Sequence, residues 1–115
     1  MYLKQIIITH TFEGFHRWRG APDEVAFLAN LHRHLFHVKV GLEVLHNDRD
    51  SEFFTEKKIL QKVLQKFIEE FECFFSCEDV AEYILKQTPY AYWAEVWEDE
   101  ENGARVERVK QIRNY

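Results

Sequence analysis

The stretch HLFHVKVGLEVLH, residues 34–46, narrows what this chain can fold into more than any other. Counted in twos, Phe36, Val38, Val40, Leu42 and Val44 share one face, while His37, Lys39 and Glu43 share the other. That alternation belongs to a half-buried strand with one side against a core. A second β-rich stretch, LKQIIITHTF (3–12), puts Ile6, Ile8 and Phe12 on one face and reads as its antiparallel partner. Near the end of the chain, AYWAEVWE (91–98) and ARVERVKQIR (104–113) read as two more strands. Asn102-Gly103 between them is a strong hairpin-turn signal.

Between the strand pairs the periodicity changes to that of a helix. Leu60, Val63, Leu64, Phe67, Ile68 and Phe71 recur at i, i+3, i+4, i+7, i+8 and i+11, the spacing of a core-facing stripe. A second helix begins at SCED (76–79). There Ser76 can cap it and Asp79, three residues on, can reach back as in a capping box, and the helix ends before Pro89. A short helical turn starts at Pro22-Asp23-Glu24, within RWRGAPDEVAFLAN (17–30). The order is strand, strand, helix, helix, strand, strand. This predicts an α+β fold, ββααββ, with a four-stranded antiparallel sheet and two helices on one face. The chain has no element left to cover the other face. The tyrosines and tryptophans of 90–97 are well placed to do so through oligomerisation.

With 115 residues and no internal linker, repeat or low-complexity segment, the sequence reads as one domain, 1–115. Fifteen basic residues against twenty acidic ones give a net charge of −5, and no basic stripe appears, so a nucleic-acid partner is not expected. No run approaches the eighteen or so apolar residues of a membrane span. The opening MYLKQIII is too short in its apolar part for a signal peptide. Cys73 and Cys77 lack a partner CxxC and read as free thiols in a reducing cytoplasm. Ten Phe and three Trp suggest large buried or inter-subunit surfaces.

Six histidines stand at 10, 16, 32, 34, 37 and 46. His32 and His34, in NLHRHLF, are two apart at the mouth of the alternating strand. In an extended strand such residues point the same way, with Cβ atoms roughly 6 to 7 Å apart, and can offer two imidazoles to one ion. If the first two strands pair antiparallel, His16 in FEGFHRW lies close to them. Gly14 permits a bulge or a close backbone approach there. Three neutral imidazoles with an open fourth position would make a catalytic type of zinc site. His37, on the polar face, is expected to be exposed.

FEGFHRW followed by LHRHLFHVKV resembles the paired motif of the 6-pyruvoyl-tetrahydropterin synthase and 6-carboxytetrahydropterin synthase family. That motif is F-x-x-x-H on the first strand and H-G-H before the second. Phe12, His16, His32 and His34 match it. SCEDVAEYIL is similar to the family's T-S-E-N-L-A helix start, with Glu78 in the place of its glutamate and read as substrate-binding. AEVWED resembles the strand whose glutamate anchors the pterin ring, which would be Glu98. SEFFTEKKIL stands where the family has an aspartate-phenylalanine pair, with Glu52-Phe53 in the matching place. The likeness runs from about residue 5 to 100.

The resemblance implies the tunnelling fold (T-fold), Zn2+ held by His16, His32 and His34, and a small pterin-like ligand fixed by Glu98. It also implies a homo-oligomer with sites at subunit interfaces. The implied reaction is a lyase step on dihydroneopterin triphosphate or a related pterin, feeding pterin or 7-deazaguanine (queuosine-type) biosynthesis. The chain departs from the family at three places. Leu28 stands where the family has its proton-abstracting cysteine, FIEEFECFF (67–75) lacks the family's Asp-His pair, and Arg33 replaces the glycine of H-G-H. Glu24, with Asp23 beside it, is the candidate replacement for proton transfer. Arg17, Trp18 and Arg33 could form a cationic, aromatic rim for a phosphate-bearing ligand. Cys77 is either a thiolate favoured by the helix N-terminus or a small residue packed against the pocket. The alternative function is a non-catalytic protein that captures a pterin, purine or nucleotide.

Overall fold

The computed structural model describes residues 2–109. Four strands, β1 (Lys4–His16), β2 (His32–Val44), β3 (Ala91–Glu98) and β4 (Asn102–Glu107), form one antiparallel sheet in the order β1-β2-β3-β4. Helices α1 (Phe53–Phe71) and α2 (Cys77–Gln87) lie on one face, α1 against β1 and α2 against β3 and β4. The expected α+β ββααββ architecture is the one observed. No helix among the described residues is long and apolar enough to cross a membrane.

Register carries the sequence alternation into packing. Ile8 faces Val40, Phe12 faces Phe36, Gly14 faces His34 and His16 faces His32. The even-numbered side chains of β1 and β2 therefore share the helix-covered face. There Phe36, Val38, Val40 and Leu42 join Leu60, Leu64 and Phe67 of α1 and Val80 and Ile84 of α2 in a single core. The α1 stripe is narrower than its periodicity suggests, since Ile68 and Phe71 remain exposed. The helix begins earlier than the stripe because Glu52 accepts hydrogen bonds from the Phe54 and Thr55 N–H groups and so caps it. At α2 the capping box is present: Asp79 N–H donates to Ser76 Oγ, and Ser76 N–H donates to Asp79 Oδ2. Pro22 precedes a short 3-10 segment, Asp23–Ala29.

Two expectations change. β1 and β2 each extend to their histidines, so that His16 and His32 are paired strand residues; of the two uses expected of Gly14 there is no bulge, and the close approach is that of the Phe36 ring, from which a Cβ would stand 2.8 Å. The β3–β4 reversal falls at Asp99 and Glu100, both at positive φ (50° and 63°), and not at Asn102-Gly103. Asn102 and Gly103 instead pair with Glu98 and Trp97 in the strands, and Gly103 leaves room for the Trp97 indole, from which a Cβ would stand only 2.6 Å. Residues 110–113 of the expected last strand lie outside the described residues.

The helix-free face is partly closed by the chain itself. Trp93, expected to serve a subunit contact, is only 6% exposed. Its indole lies over Gly41 and donates to Gln5 Oε1 (2.7 Å), and the Arg105 guanidinium sits 4.1 Å above the ring. Tyr90 reaches the helix side and donates to the buried Glu56. Ile7, Phe15 and Leu35 remain exposed on the helix-free face.

Candidate metal centre and adjoining cavity

The β1–β2 register brings His16, His32 and His34 together at one end of the covered face. Their ring centroids are 4.5, 5.2 and 5.0 Å apart, each pair edge-on, and one donor atom from each lies within 4.8 Å of the others. Among the described residues this is the group of histidine, cysteine and carboxylate side chains that could hold a metal ion. His16 is buried, and the other two are half-buried.

Each ring is oriented by an acceptor on Nδ1. His16 Nδ1 donates to the Phe75 carbonyl (2.9 Å), His32 Nδ1 to the Asn30 carbonyl (2.8 Å) and His34 Nδ1 to Asp99 Oδ2 (2.6 Å). Carbonyl oxygens only accept, so a neutral ring must carry its proton on Nδ1 and turn the lone pair of Nε2 inward. Asp99 is itself fixed, its Oδ1 accepting from Leu35 N–H (2.8 Å) and its own N–H donating to the Leu35 carbonyl (2.8 Å). The hydrogen bond from His34, and then that from Leu35, holds the Asp99 carboxyl below the usual range, so it is ionised at neutral pH. This carboxylate–imidazole arrangement is the kind that fixes metal-binding histidines.

The residues fit a cation on a further ground. His16 Nε2 is buried with no hydrogen-bond partner, although Glu98 Oε2 lies 3.1 Å away. When the ring is neutral both atoms are acceptors, and when it is protonated the two form an ion pair. Burial pulls the His16 pKa down, opposed by the Phe75 carbonyl and Glu98. Either a proton on Nε2 or a cation bound between the two would satisfy this pair.

Beside the histidines is a cavity of about 270 Å³, lined by His16, His32, Arg17, Trp18, Leu28, Cys77, Glu78 and Glu98, among others. The larger cavity of about 700 Å³ is at the other end of the sheet, around Lys4, Val44 and Asp50, away from the histidines. We take the smaller one as the site because the inward-facing donors are there.

The remaining sequence candidates divide clearly. Glu98 and Glu78 are on the cavity wall. Leu28, at the position of the missing cysteine, also faces the cavity and presents hydrocarbon to it. Cys77 lines the cavity with a thiol pushed up to about 12 by burial, Glu98 and Glu78, so it is a packed neutral residue and not a thiolate. Glu24 is exposed on the 3-10 segment and is not part of the cavity wall. Arg33 alternates to the helix-free face and pairs with Glu13 (2.7 Å), so the rim consists of Arg17 and Trp18 without it. Arg19, stacked 4.3 Å from the Phe74 ring, stands nearby on an adjoining cavity. His10, His37 and His46 lie apart from the cluster. His37 is half-buried beside Glu100 rather than exposed, and His46 pairs with Asp50. Sequence reasoning missed Asp99 and the Asn30 and Phe75 carbonyls. Only the strand-end adjacency of Asp99 to Glu98 in WED offered a signal for the first, and nothing offered one for the carbonyls.

Fold and site together define an α+β T-fold domain with a three-histidine pocket able to hold a metal ion. The structure is similar to that of 6-pyruvoyl tetrahydropterin synthase from Caenorhabditis elegans, with a TM-score of 0.63 over 94% of this chain and 97% of that one. Identity is 17%, so the likeness is one of fold. No protein-family model matches the sequence, and no curated protein sequence matches it.

Proposed function

We propose that the chain is a zinc-dependent protein of the 6-carboxytetrahydropterin/6-pyruvoyl-tetrahydropterin synthase type, acting on dihydroneopterin triphosphate or a related pterin. Its place would be in pterin or 7-deazaguanine (queuosine-type) biosynthesis. The observation that carries this reading is the trio of imidazoles with Nδ1 tied and Nε2 turned inward beside a cavity, on the fold of a pterin synthase. Zinc held there would act as a Lewis acid on the oxygens of a pterin side chain, making the neighbouring C–H more acidic.

The chain's own groups have separable tasks. Glu98 and Glu78 offer carboxylate oxygens to the amino and ring N–H groups of a flat heterocycle. Arg17, at the mouth, suits the phosphates of the ligand, and Trp18 gives a wall for the ring. Asp99, Asn30 and Phe75 hold the imidazoles in their metal-binding tautomer. Glu24 remains the candidate for proton transfer and would have to enter from outside the cavity wall. Exposed Ile7, Phe15 and Leu35 support a homo-oligomer that covers the helix-free face. Leu28 in the wall favours a second reading, a non-catalytic protein that captures a pterin, purine or nucleotide in the same pocket.

Zinc-loaded protein incubated with dihydroneopterin triphosphate tests both readings. Turnover that disappears in Glu24→Ala or Glu98→Ala supports the enzyme, and stoichiometric binding without product supports capture. If neither occurs, the pterin reading is wrong. If purified protein carries no zinc and His32→Ala leaves metal content unchanged, the metal centre is wrong as well.

A further inference from the structure

We infer that Arg17 and Arg19 grip a chain of linked phosphates on the ligand, in a second cavity that continues the histidine cavity. The inference rests on the reading of Arg17 given above and adds Arg19 as a residue that selects for the length of the phosphate chain. The second cavity, of about 540 Å³, shares the wall formed by Trp18, Phe75, Ser76 and Glu78 with the first. Arg17 borders both cavities, and Arg19 borders only the second. The two guanidiniums therefore stand in succession, leading away from the histidines.

Their partners decide what they can do. Arg33, Arg49 and Arg105 pair with carboxylates, and Arg108 donates to backbone carbonyls. Among the described residues, neither the Arg17 nor the Arg19 guanidinium has an ion pair or a hydrogen bond, and both lie over the Phe74 ring, 5.8 and 4.3 Å from its centroid. Such stacking uses the flat face of a guanidinium and leaves its in-plane N–H donors free. Those donors are the fork that takes a phosphate in paired hydrogen bonds. The acids on the same wall do not compete: Asp79 accepts from Ser76 N–H in the capping box, and Glu78 pairs with neither arginine. The backbone holds the first arginine in place, since Arg17 N–H donates to the Cys73 carbonyl (2.9 Å) and Trp18 N–H to the Leu28 carbonyl (2.7 Å). A ligand then has less ordering to impose on binding. Two cations on one ring also repel each other, and a polyanion between them relieves that repulsion. A single phosphate on a bound ring meets Arg17, and each further phosphate extends toward Arg19.

Isothermal titration calorimetry of the full chain with inorganic tripolyphosphate tests the clamp without any pterin. Arg17→Met and Arg19→Met are compared with wild type and with Arg105→Met, which removes the same charge from the helix-free face. Any zinc that the protein carries contributes equally throughout, since none of these arginines belongs to the histidine site. Arg17→Met and Arg19→Met should each bind about tenfold or more weakly than wild type, and Arg105→Met should stay within about twofold. If a methionine variant fails to fold, lysine at that position decides. It keeps the charge but gives up the fork, and should cost about threefold in affinity, an unchanged affinity counting against the clamp. No binding by wild type, an equal loss in Arg105→Met, or unchanged binding in Arg17→Met or Arg19→Met overturns the assignment. Titration with dihydroneopterin triphosphate separates the clamp from the pterin reading. Unchanged affinity in Arg19→Met overturns the clamp and leaves the pterin reading standing. Tripolyphosphate binding that needs both arginines, without any binding of the pterin, keeps the clamp and removes the pterin.

Discussion

On the helix-covered face Phe36 lies against Gly14, where a Cβ would stand 2.8 Å from its ring. On the open face Trp93 lies against Gly41, where a Cβ would stand 2.2 Å from the indole nitrogen. Both faces seat a large ring on a glycine of the neighbouring strand. They differ in what closes over the ring. Phe36 is covered by hydrocarbon and has His16 and His34 edge-on to it, whereas Trp93 is capped by the exposed Arg105 and held by Gln5. Helices convert one face into a dry core that can orient imidazoles. On the other face the Trp93 indole is buried beneath the exposed Arg105, whose ion pairs with Glu95 and Glu107 are correspondingly weak.

The sharpest way to break this comparison is Phe36→Ala. Phe36 is fully buried, so truncation should cost about 3–5 kcal/mol in urea unfolding and should loosen zinc binding through the histidines it supports. A loss below about 1 kcal/mol would mean the ring is not the keystone of this face. Gly41→Ala should cost about 1–3 kcal/mol, because the new methyl must push the Trp93 indole off its seat. Tryptophan emission should move to the red together with the lower unfolding midpoint. An unchanged spectrum would show that the indole is held by Arg105 and Gln5 alone.

The faces should also separate by pH. Burial, and for His10 also Lys57, lowers the pKa of His10 and His16 on the covered face below 6.5. Above about pH 6.5 neither folded nor unfolded chain protonates them. As pH falls through that value the unfolded chain takes up protons first, so stability drops until the folded pKa values are passed. On the open face, Glu95 is lowered by hydrogen bonds from Trp97 and Arg105, so its contribution is present above about pH 4.5 and fades only below it. Metal-free protein should therefore have a lower urea midpoint at pH 5.5 than at 7.5, and His10→Gln should shrink the difference. A flat profile would contradict the burial of these rings. The smallest effect is expected from Arg105→Met. It removes exposed bridges to Glu95 and Glu107 for less than about 1 kcal/mol and should be insensitive to zinc.

Local spacing made much of the site legible. Period two put His32 and His34 on one side, and the antiparallel pairing of two alternating strands brought His16 opposite. The capping box at Ser76 and the ββααββ order were readable for the same reason, since they depend on residues close in sequence. Arg33 illustrates the limit. It lies between two site histidines in sequence and belongs to the other face in space, as period two requires. Asn102-Gly103 shows a stronger limit, because a favoured turn dipeptide gave way to a reversal at Asp99 and Glu100. That register seats Trp97 on Gly103 and brings Asp99 to His34.

From its residues alone the chain determined which side chains alternate into a core and which three histidines can meet, because those follow from strand period and short-range pairing. Which groups from distant segments complete the site was decided only by the tertiary structure. The Phe75 carbonyl reaches His16 across 59 positions and Asp99 reaches His34 across 65, while Glu98 joins them from β3. Such contacts carry no local period. They exist because the sheet register and the α1–α2 connection bring polar atoms into a space where each acceptor must find a proton or an ion.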